Sequence, residues 1–237
     1  MKKKLFLIVP VLFILLIVAA FFIYAGSYYH AGEAAASALA ADEAVYVMQT
    51  DYGWLFDGPS ETSALIFYPG AKVEETAYAP LLRRFAENGM DVCLVKMPFR
   101  FAFFGTGKAQ SVMEQVSYDH WYIGGHSLGG AMAANYAAAH PEGIDGIVLL
   151  ASYATNAIDN SVLAITVYGS EDTVINAERL EESREYVPAN SDYHMIRGGN
   201  HAQFGDYGEQ KGDGIAGITA QEQQEETVSV VMRYLRR

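Results

Sequence analysis

Residues 122–130 read Tyr122-Ile123-Gly124-Gly125-His126-Ser127-Leu128-Gly129-Gly130. An apolar segment typical of a strand leads into this stretch, and an alanine-rich segment typical of a helix follows it. A serine between two glycines, G-x-S-x-G, at such a junction is the pattern of a sharp turn that lifts the hydroxyl clear of the backbone. Side chains at Gly125 and Gly129 would clash with neighbouring backbone. The pattern therefore predicts that Ser127 is a nucleophile.

A nucleophilic serine needs a base, and the base needs a carboxylate that orients it. In this strand–turn–helix context the acid and then the base follow the serine along the chain. Asp172 lies in a glycine-containing loop after a buried strand and is the predicted acid, with Glu171 as the alternative. His201 follows two glycines after a later strand and is the predicted base, with His194 as the alternative. The other histidines have no position suited to a base and are predicted to be structural: His30, His120, His126 and His140.

Two backbone N–H groups are expected to stabilise the negatively charged oxygen that forms during acyl transfer. Leu128 supplies one, because the first N–H groups of a helix have no intrahelical partner. The loop after the apolar strand at residues 64–68 supplies the other. In that loop Gly70 lets the backbone approach a substrate, and Ala71 is preferred as the donor, with Lys72 next.

Apolar segments of strand length alternate with helical patterns after residue 44, which predicts an α/β fold with a mostly parallel sheet flanked by helices. The interval at residues 152–162 is too short for a separate lid domain. The predicted strands are 45–48, 54–56, 64–68, 92–97, 121–124, 147–150, 163–168 and 193–196, and the predicted helices are 76–88, 108–116, 128–139, 176–187 and 219–236.

The N-terminal segment begins with three lysines and continues as an uncharged apolar run over residues 5–24. A helix of that length spans about 30 Å, the thickness of a bilayer core. The pattern predicts a signal anchor over 1–24, with a transmembrane helix, a stalk over 25–43 and a domain over 44–237 outside the cytoplasm. Cleavage in the alanine-rich stalk, which would release a secreted protein, is the alternative.

Composition narrows the possible partners. The chain of 237 residues is long enough for one domain with a large core. Its formal net charge of −12 disfavours nucleic-acid binding, which needs a basic surface. The single cysteine, Cys93, permits no internal disulfide and no C-x-x-C metal motif. Neither a metal nor an organic cofactor is expected, and the sequence does not indicate an oligomeric state.

These motifs resemble those of the α/β-hydrolase superfamily, specifically its small lidless group related to dienelactone hydrolases and esterases. The resemblance covers about residues 44–237 and implies a serine hydrolase that cleaves a small carboxylic ester, or a related acyl bond, through an acyl-enzyme. Dienelactone hydrolases have a cysteine where this chain has Ser127, so their reaction does not carry over. A membrane-tethered, non-catalytic binding or sensor protein on the same fold is the alternative. The resemblance rests on residues 68–73, 96–99, 124–130, 168–172 and 198–208.

A loop rich in phenylalanine, residues 99–105, follows one of the predicted strands. Its rings are expected to wall a compact apolar pocket over Ser127, as ligand sites commonly do. Such a pocket, without a lid to extend it, predicts a preference for short acyl chains. The alternative is that the rings pack into the core or meet a membrane surface.

Overall fold

The computed structural model describes residues 2–59 and 62–236. Within that part of the chain, eight strands form one sheet in the order β1-β2-β4-β3-β5-β6-β7-β8. The strands from β4 to β8 in that order are parallel, and the β1–β2 hairpin pairs antiparallel to β4 at one edge. The strands are β1 (Tyr46–Gln49), β2 (Gly53–Asp57), β3 (Ser63–Tyr68), β4 (Asp91–Val95), β5 (His120–His126), β6 (Gly146–Leu150), β7 (Leu163–Gly169) and β8 (Asp192–Ile196).

Helices cover both faces of this sheet. In chain order, the helices of the described residues are α1 (Lys2–Gly26), α2 (Glu33–Ala38), α3 (Ala79–Glu87), α4 (Lys108–Met113), α5 (Leu128–Ala139), α6 (Ala177–Glu182) and α7 (Ala220–Leu235). The helix predicted over residues 128–139 has those bounds in the structure. The helix predicted over 176–187 is shorter, because a 3₁₀ turn, Ser183–Tyr186, replaces its second half. The predicted α/β fold with a mostly parallel sheet is confirmed.

Alternate residues of the central strands enter two separate cores, which explains their continuous apolar character. Leu65 and Phe67 of β3 pack in the core that also contains apolar residues of α3 and α7. Ile66 and Tyr68 face the other way, into the core shared with α4 and α5. Between β6 and β7, residues 151–162 contain no helix, so no lid domain is inserted there.

The N-terminal apolar run is helical, and its helix, α1, extends to Gly26. Within residues 2–59 and 62–236, no helix is long and apolar enough to cross a membrane. The predicted transmembrane anchor is therefore not supported.

The segment that follows α1, predicted to be a stalk, packs against the surface of the domain. Ala35 in α2 is fully buried, and its N–H donates to Asp206 Oδ2 at 2.7 Å. The guanidinium of Arg83 on α3 donates to the Ala40 carbonyl at 2.7 Å. The segment predicted to be a stalk thus contacts the α/β domain, while the boundary at residue 43 stays a prediction.

Candidate active site

Ser127 lies at the junction predicted from the sequence, between the end of β5 and the start of α5. Its backbone has φ 52° and ψ −124°, a conformation that non-glycine residues rarely adopt. Such strain persists only where the surroundings impose it. Here the Ser127 N–H donates to the Leu150 carbonyl at 2.9 Å, and the Ser152 hydroxyl donates to the Ser127 carbonyl at 2.7 Å. These bonds tie the turn to the end of β6.

The glycines on either side of Ser127 are required by close backbone contacts. A Cβ on Gly125 would collide with the Tyr68 carbonyl oxygen. A Cβ on Gly129 would collide with the carbonyl oxygens of both Tyr68 and Pro69. The turn therefore packs directly against the end of β3 and the loop that follows it. Larger residues at either position would separate the serine from that loop.

The predicted acid and base form a buried pair. His201 Nδ1 lies 2.9 Å from Asp172 Oδ2, and the two side chains are 2% and 0% exposed. The other carboxylate oxygen accepts the N–H groups of Val174 and Ile175, each at 2.9 Å. Because the carboxylate accepts a hydrogen bond from Nδ1–H, a neutral ring carries its lone pair on Nε2. His201 is thus oriented to accept a proton at Nε2.

The ring of His201 lies against the residue that precedes the serine. The centroids of the His126 and His201 rings are 4.5 Å apart. Within the described residues, His201 Nε2 is buried and has no hydrogen-bond partner, so a hydrogen bond to Ser127 is not formed here. Hydrogen bonds between catalytic groups commonly tighten only when substrate is bound. The structure therefore joins acid to base and brings the base ring against the serine turn.

The alternative acid and base make other contacts. Glu171 is exposed and accepts the Ser170 hydroxyl at 2.9 Å. His194 lies on β8, and its Nε2 is 2.7 Å from Glu226 on α7. Neither belongs to the Asp172–His201 pair. The remaining histidines predicted to be structural pair elsewhere: His30 with Glu74, His120 with Asp145, and His140 with the Tyr136 carbonyl.

The structure separates the two candidate donors of the loop after β3. The Lys72 N–H donates to the Arg100 carbonyl at 2.9 Å and is thus occupied. The Ala71 N–H has no acceptor within the described residues. Leu128 is the first residue of α5, where an N–H has no intrahelical partner. The geometry therefore favours Ala71 over Lys72, with Leu128 as the second donor.

Tyr78 and His126 link this loop to the base, a connection that sequence reasoning missed. The Gly70 N–H donates to the Tyr78 hydroxyl oxygen at 3.0 Å, and the same oxygen is hydrogen-bonded to His126 Nδ1 at 2.8 Å. Burial lowers the pKa of His126 well below its usual value, and the adjacent His201 lowers it further. His126 is therefore neutral. The histidine inside the serine motif was the available signal, but nothing in the sequence placed Tyr78 beside it.

Two polar side chains hold the loop that carries His201, and sequence reasoning missed both. The carboxylate of Asp213 accepts the N–H groups of His201 at 3.2 Å and Ala202 at 2.9 Å. Gln223 of α7 is fully buried and exchanges two hydrogen bonds with the backbone of Asn200, at 2.9 and 2.8 Å. Gln223 could have been noticed as an amide on the apolar face of a closing helix.

Cys93 and the metal-binding residue types form no further site. Cys93 on β4 is fully buried, and the Tyr52 hydroxyl lies 3.6 Å from its sulfur. Burial raises the pKa of the Cys93 thiol to about 12, so the thiol stays protonated at neutral pH. Over residues 2–59 and 62–236, no group of three or more His, Cys, Asp or Glu could hold a metal ion.

Residues 64–225 match the model of a family described as the Alpha/beta hydrolase family. The chain belongs to this family. The matched region begins in β3 and ends in α7, so it contains Ser127, Asp172 and His201 together with the loops that surround them. No curated protein matches the chain.

Solved structures of this family's architecture are similar in fold. A dienelactone hydrolase from Anabaena variabilis is 17% identical, with a TM-score of 0.57 over 81% of this chain and 98% of its own. A carboxylesterase from Bacillus subtilis is 11% identical, with a TM-score of 0.56 over 85% and 94%. An alpha/beta hydrolase from a lagoon-sediment metagenome is 15% identical, with a TM-score of 0.59 over 81% and 98%. At these identities the likeness extends to the fold alone, while the family match supports a hydrolase.

Proposed function

We propose that this hydrolase cleaves carboxylic esters, or a related acyl bond, through Ser127, His201 and Asp172. The observation that carries the proposal is the buried Asp172–His201 pair, whose histidine ring lies against the turn that presents Ser127. A purely binding protein would need neither the strained serine nor a base with a free Nε2. Membership of the family supports hydrolysis in general.

The reaction follows from the placement of these groups. Ser127 Oγ attacks the carbonyl carbon while His201 Nε2 takes the hydroxyl proton. The N–H groups of Leu128 and Ala71 stabilise the negative oxygen of the tetrahedral intermediate. Collapse of the intermediate expels the alcohol, which takes the proton back from His201, and leaves an acyl-enzyme. Water then attacks the acyl group with His201 as base, releasing the carboxylic acid and restoring Ser127. Asp172 orients the imidazole through its Nδ1 in both steps.

Labelling with a fluorophosphonate and hydrolysis of p-nitrophenyl acetate test the proposal together. We expect wild-type protein to be labelled, and Ser127→Ala to lose labelling and several orders of magnitude in kcat. Ser111→Ala is the matched control, because Ser111 is an exposed serine on α4. A folded Ser127→Ala protein that hydrolyses the ester at the wild-type rate would show that Ser127 is not the nucleophile.

We also propose that the N-terminal segment keeps the domain at a membrane, outside the cytoplasm. The three N-terminal lysines and the apolar run of residues 5–24 support this location. Exposed apolar side chains along α1, including Phe13, Leu16 and Ile23, are consistent with contact to lipid. We expect the full-length chain in the membrane fraction, with its domain degraded by protease added outside intact cells. A full-length chain found in the soluble fraction would contradict the proposal.

A further inference from the structure

The segment between α1 and α2 crosses the loop that carries Ala71. The Tyr29 N–H donates to the Lys72 carbonyl at 2.8 Å, and the Glu74 N–H donates to the Tyr29 carbonyl at 2.9 Å. Tyr29 thus forms a one-residue parallel bridge to Val73. We call residues 28–35 the N-terminal arm. Its backbone extends the loop after β3 by hydrogen bonding, as an added strand would.

The same arm is bound to the loop that follows His201. The Gly32 N–H donates to the Asp206 carbonyl at 2.8 Å, and the Ala35 N–H donates to the Asp206 carboxylate at 2.7 Å. The Tyr29 hydroxyl accepts the Lys211 N–H at 3.1 Å. A Cβ on Gly32 would meet the Asp206 carboxylate at 2.6 Å, so arm and loop are closely packed. The arm therefore connects the loop after β3 that carries Ala71, here called the oxyanion loop, with the loop that follows His201, here called the base loop.

The loop after β3 depends on such external bonds, because its conformation is intrinsically unfavourable. Lys72 has φ 58°, in the left-handed region, and its own N–H donates to the Arg100 carbonyl at 2.9 Å. Arg100 is itself at φ 62°. Hydrogen bonds from the arm on one side and Arg100 on the other therefore fix the two peptide groups that follow the Ala71 N–H. The arm also lies outside residues 64–225, the region that the family model matches.

We propose that the N-terminal arm is a positioning element of the active site, which holds the Ala71 N–H at the oxyanion and fixes the oxyanion loop relative to the base loop. This inference rests on the proposed serine-hydrolase function. An N–H that is aimed at the transition-state oxygen lowers the barrier without strengthening ground-state binding. Loosening the arm should therefore reduce kcat and leave KM almost unchanged.

Two substitutions at one position isolate the backbone bond in the full-length chain. Tyr29→Ala removes the side chain and keeps the N–H, whereas Tyr29→Pro removes both. With p-nitrophenyl acetate we expect kcat of Tyr29→Pro to be about tenfold or more below that of Tyr29→Ala, with KM within about twofold. The inhibition constant of a methyl trifluoromethyl ketone, whose adduct carries an oxyanion, should rise by the same factor as kcat/KM falls.

Ala177→Pro is the matched control outside the arm. Ala177 is exposed, is the first residue of α6, and follows an extended Asn176, a position where proline is well tolerated. Its kcat and KM should equal those of the wild-type protein. Equal kcat for the two Tyr29 variants, or a loss in Ala177→Pro as large as in Tyr29→Pro, would overturn the proposal.

Gly32→Ala decides the question if Tyr29→Pro does not fold. The added Cβ displaces the arm at Asp206 and leaves every backbone donor in place. We expect a fall in kcat of the same kind, and an unchanged kcat in the folded variant would overturn the proposal. Ser127→Ala separates the two levels of inference. If that variant is inactive while the arm variants are not impaired, only the arm proposal fails; if it is fully active, the proposed function fails first.

Discussion

Hydrogen bonds and burial fix the orientation of the Asp172 and His201 side chains. The carboxylate has three hydrogen-bond donors within 2.9 Å, two from backbone and one from the imidazole. Both side chains are excluded from solvent, and His201 is oriented through Nδ1. Nε2 is therefore the ring nitrogen of His201 left without a hydrogen-bond partner among the described residues.

Replacing Asp172 by Asn should preserve the fold and remove most of the activity. An amide can still meet Nδ1, but it favours the imidazole tautomer whose Nε2 carries the proton and cannot act as a base. We expect kcat for p-nitrophenyl acetate to fall by about 10³–10⁴-fold. Glu171→Gln is the control, since Glu171 is exposed and does not contact His201. A larger loss in Glu171→Gln than in Asp172→Asn would mean that the acid is misassigned.

Asp91, at the start of β4, is a buried carboxyl with a different consequence. Burial raises its pKa to about 6, although hydrogen bonds from the Gly58 N–H at 2.9 Å and the Tyr118 hydroxyl at 3.0 Å act in the opposite direction. An ordinary value of 3.8 applies in the unfolded chain. Between these two values the folded protein binds more protons than the unfolded chain. The contribution of Asp91 to stability is therefore full below pH 3.8 and is lost as the pH rises through about 6.

Urea unfolding across that pH range tests this residue. The free energy of unfolding of the wild-type protein, relative to Asp91→Asn, should fall by about 2–3 kcal/mol between pH 4 and pH 7. Asp119→Asn, at an exposed carboxyl nearby in the chain, should run parallel to the wild type. A constant difference between wild type and Asp91→Asn would show that the Asp91 pKa is not raised.

The turn between β5 and α5 packs directly against the backbone at the end of β3. Gly129 allows the first turn of α5 to pack against the carbonyl oxygens of Tyr68 and Pro69. Gly70 has the same role on the opposing loop, where a Cβ would meet the Tyr78 hydroxyl at 2.7 Å and His126 Nδ1 at 2.8 Å. The serine turn and the oxyanion loop are thus fitted to one another through residues without side chains.

Gly129→Ala should therefore separate the turn from the oxyanion loop. We expect a destabilisation of about 1–3 kcal/mol from overpacking, together with a fall in kcat. Gly143→Ala is the matched control, because a Cβ at Gly143 meets nothing within 4 Å. Thermal unfolding and ester hydrolysis measured on both variants check the expectation. Equal stability and activity of the two would show that the turn tolerates a methyl group.

The phenylalanine-rich loop contacts the N-terminal helix. The ring of Phe21 on α1 lies 5.4 Å from that of Phe99 and 5.9 Å from that of Phe104. Phe99, Phe103 and Phe104 remain about half exposed, so these rings are not part of the core. The loop also approaches the active site, since its Arg100 carbonyl accepts the Lys72 N–H. That this loop walls a substrate pocket stays a prediction.

A series of p-nitrophenyl esters tests the predicted preference for small substrates. Without an inserted lid between β6 and β7, long acyl chains have no tunnel from that source. We expect kcat/KM to be highest for acetate or butyrate and to decline toward palmitate. Ser127→Ala provides the background rate for each ester. A rate that climbs steadily with chain length would reject the preference and favour lipid as the substrate.

The α/β fold could be predicted from the sequence, and the residues of the proposed chemistry were named from it. Local signals were sufficient there: buried strands read as continuous apolar runs, and the glycines around Ser127 mark a turn that few other residues permit. The positions of Asp172 and His201 after that serine in the chain indicated the acid and the base. These features depend on short stretches of chain, which a sequence displays directly.

The hydrogen bonds that hold the loops around the site could not be predicted from the sequence. Tyr78 meets His126 across 48 positions of the chain, and Ala35 meets Asp206 across 171. Contacts at such separations arise from the packing of the sheet and leave no local pattern. The sequence already preferred Ala71 to Lys72, and the structure adds a hydrogen bond from the Lys72 N–H to the Arg100 carbonyl, which lies in another loop. The predicted stalk contacts the domain for the same reason, since its partners lie in loops that only the folded sheet brings together.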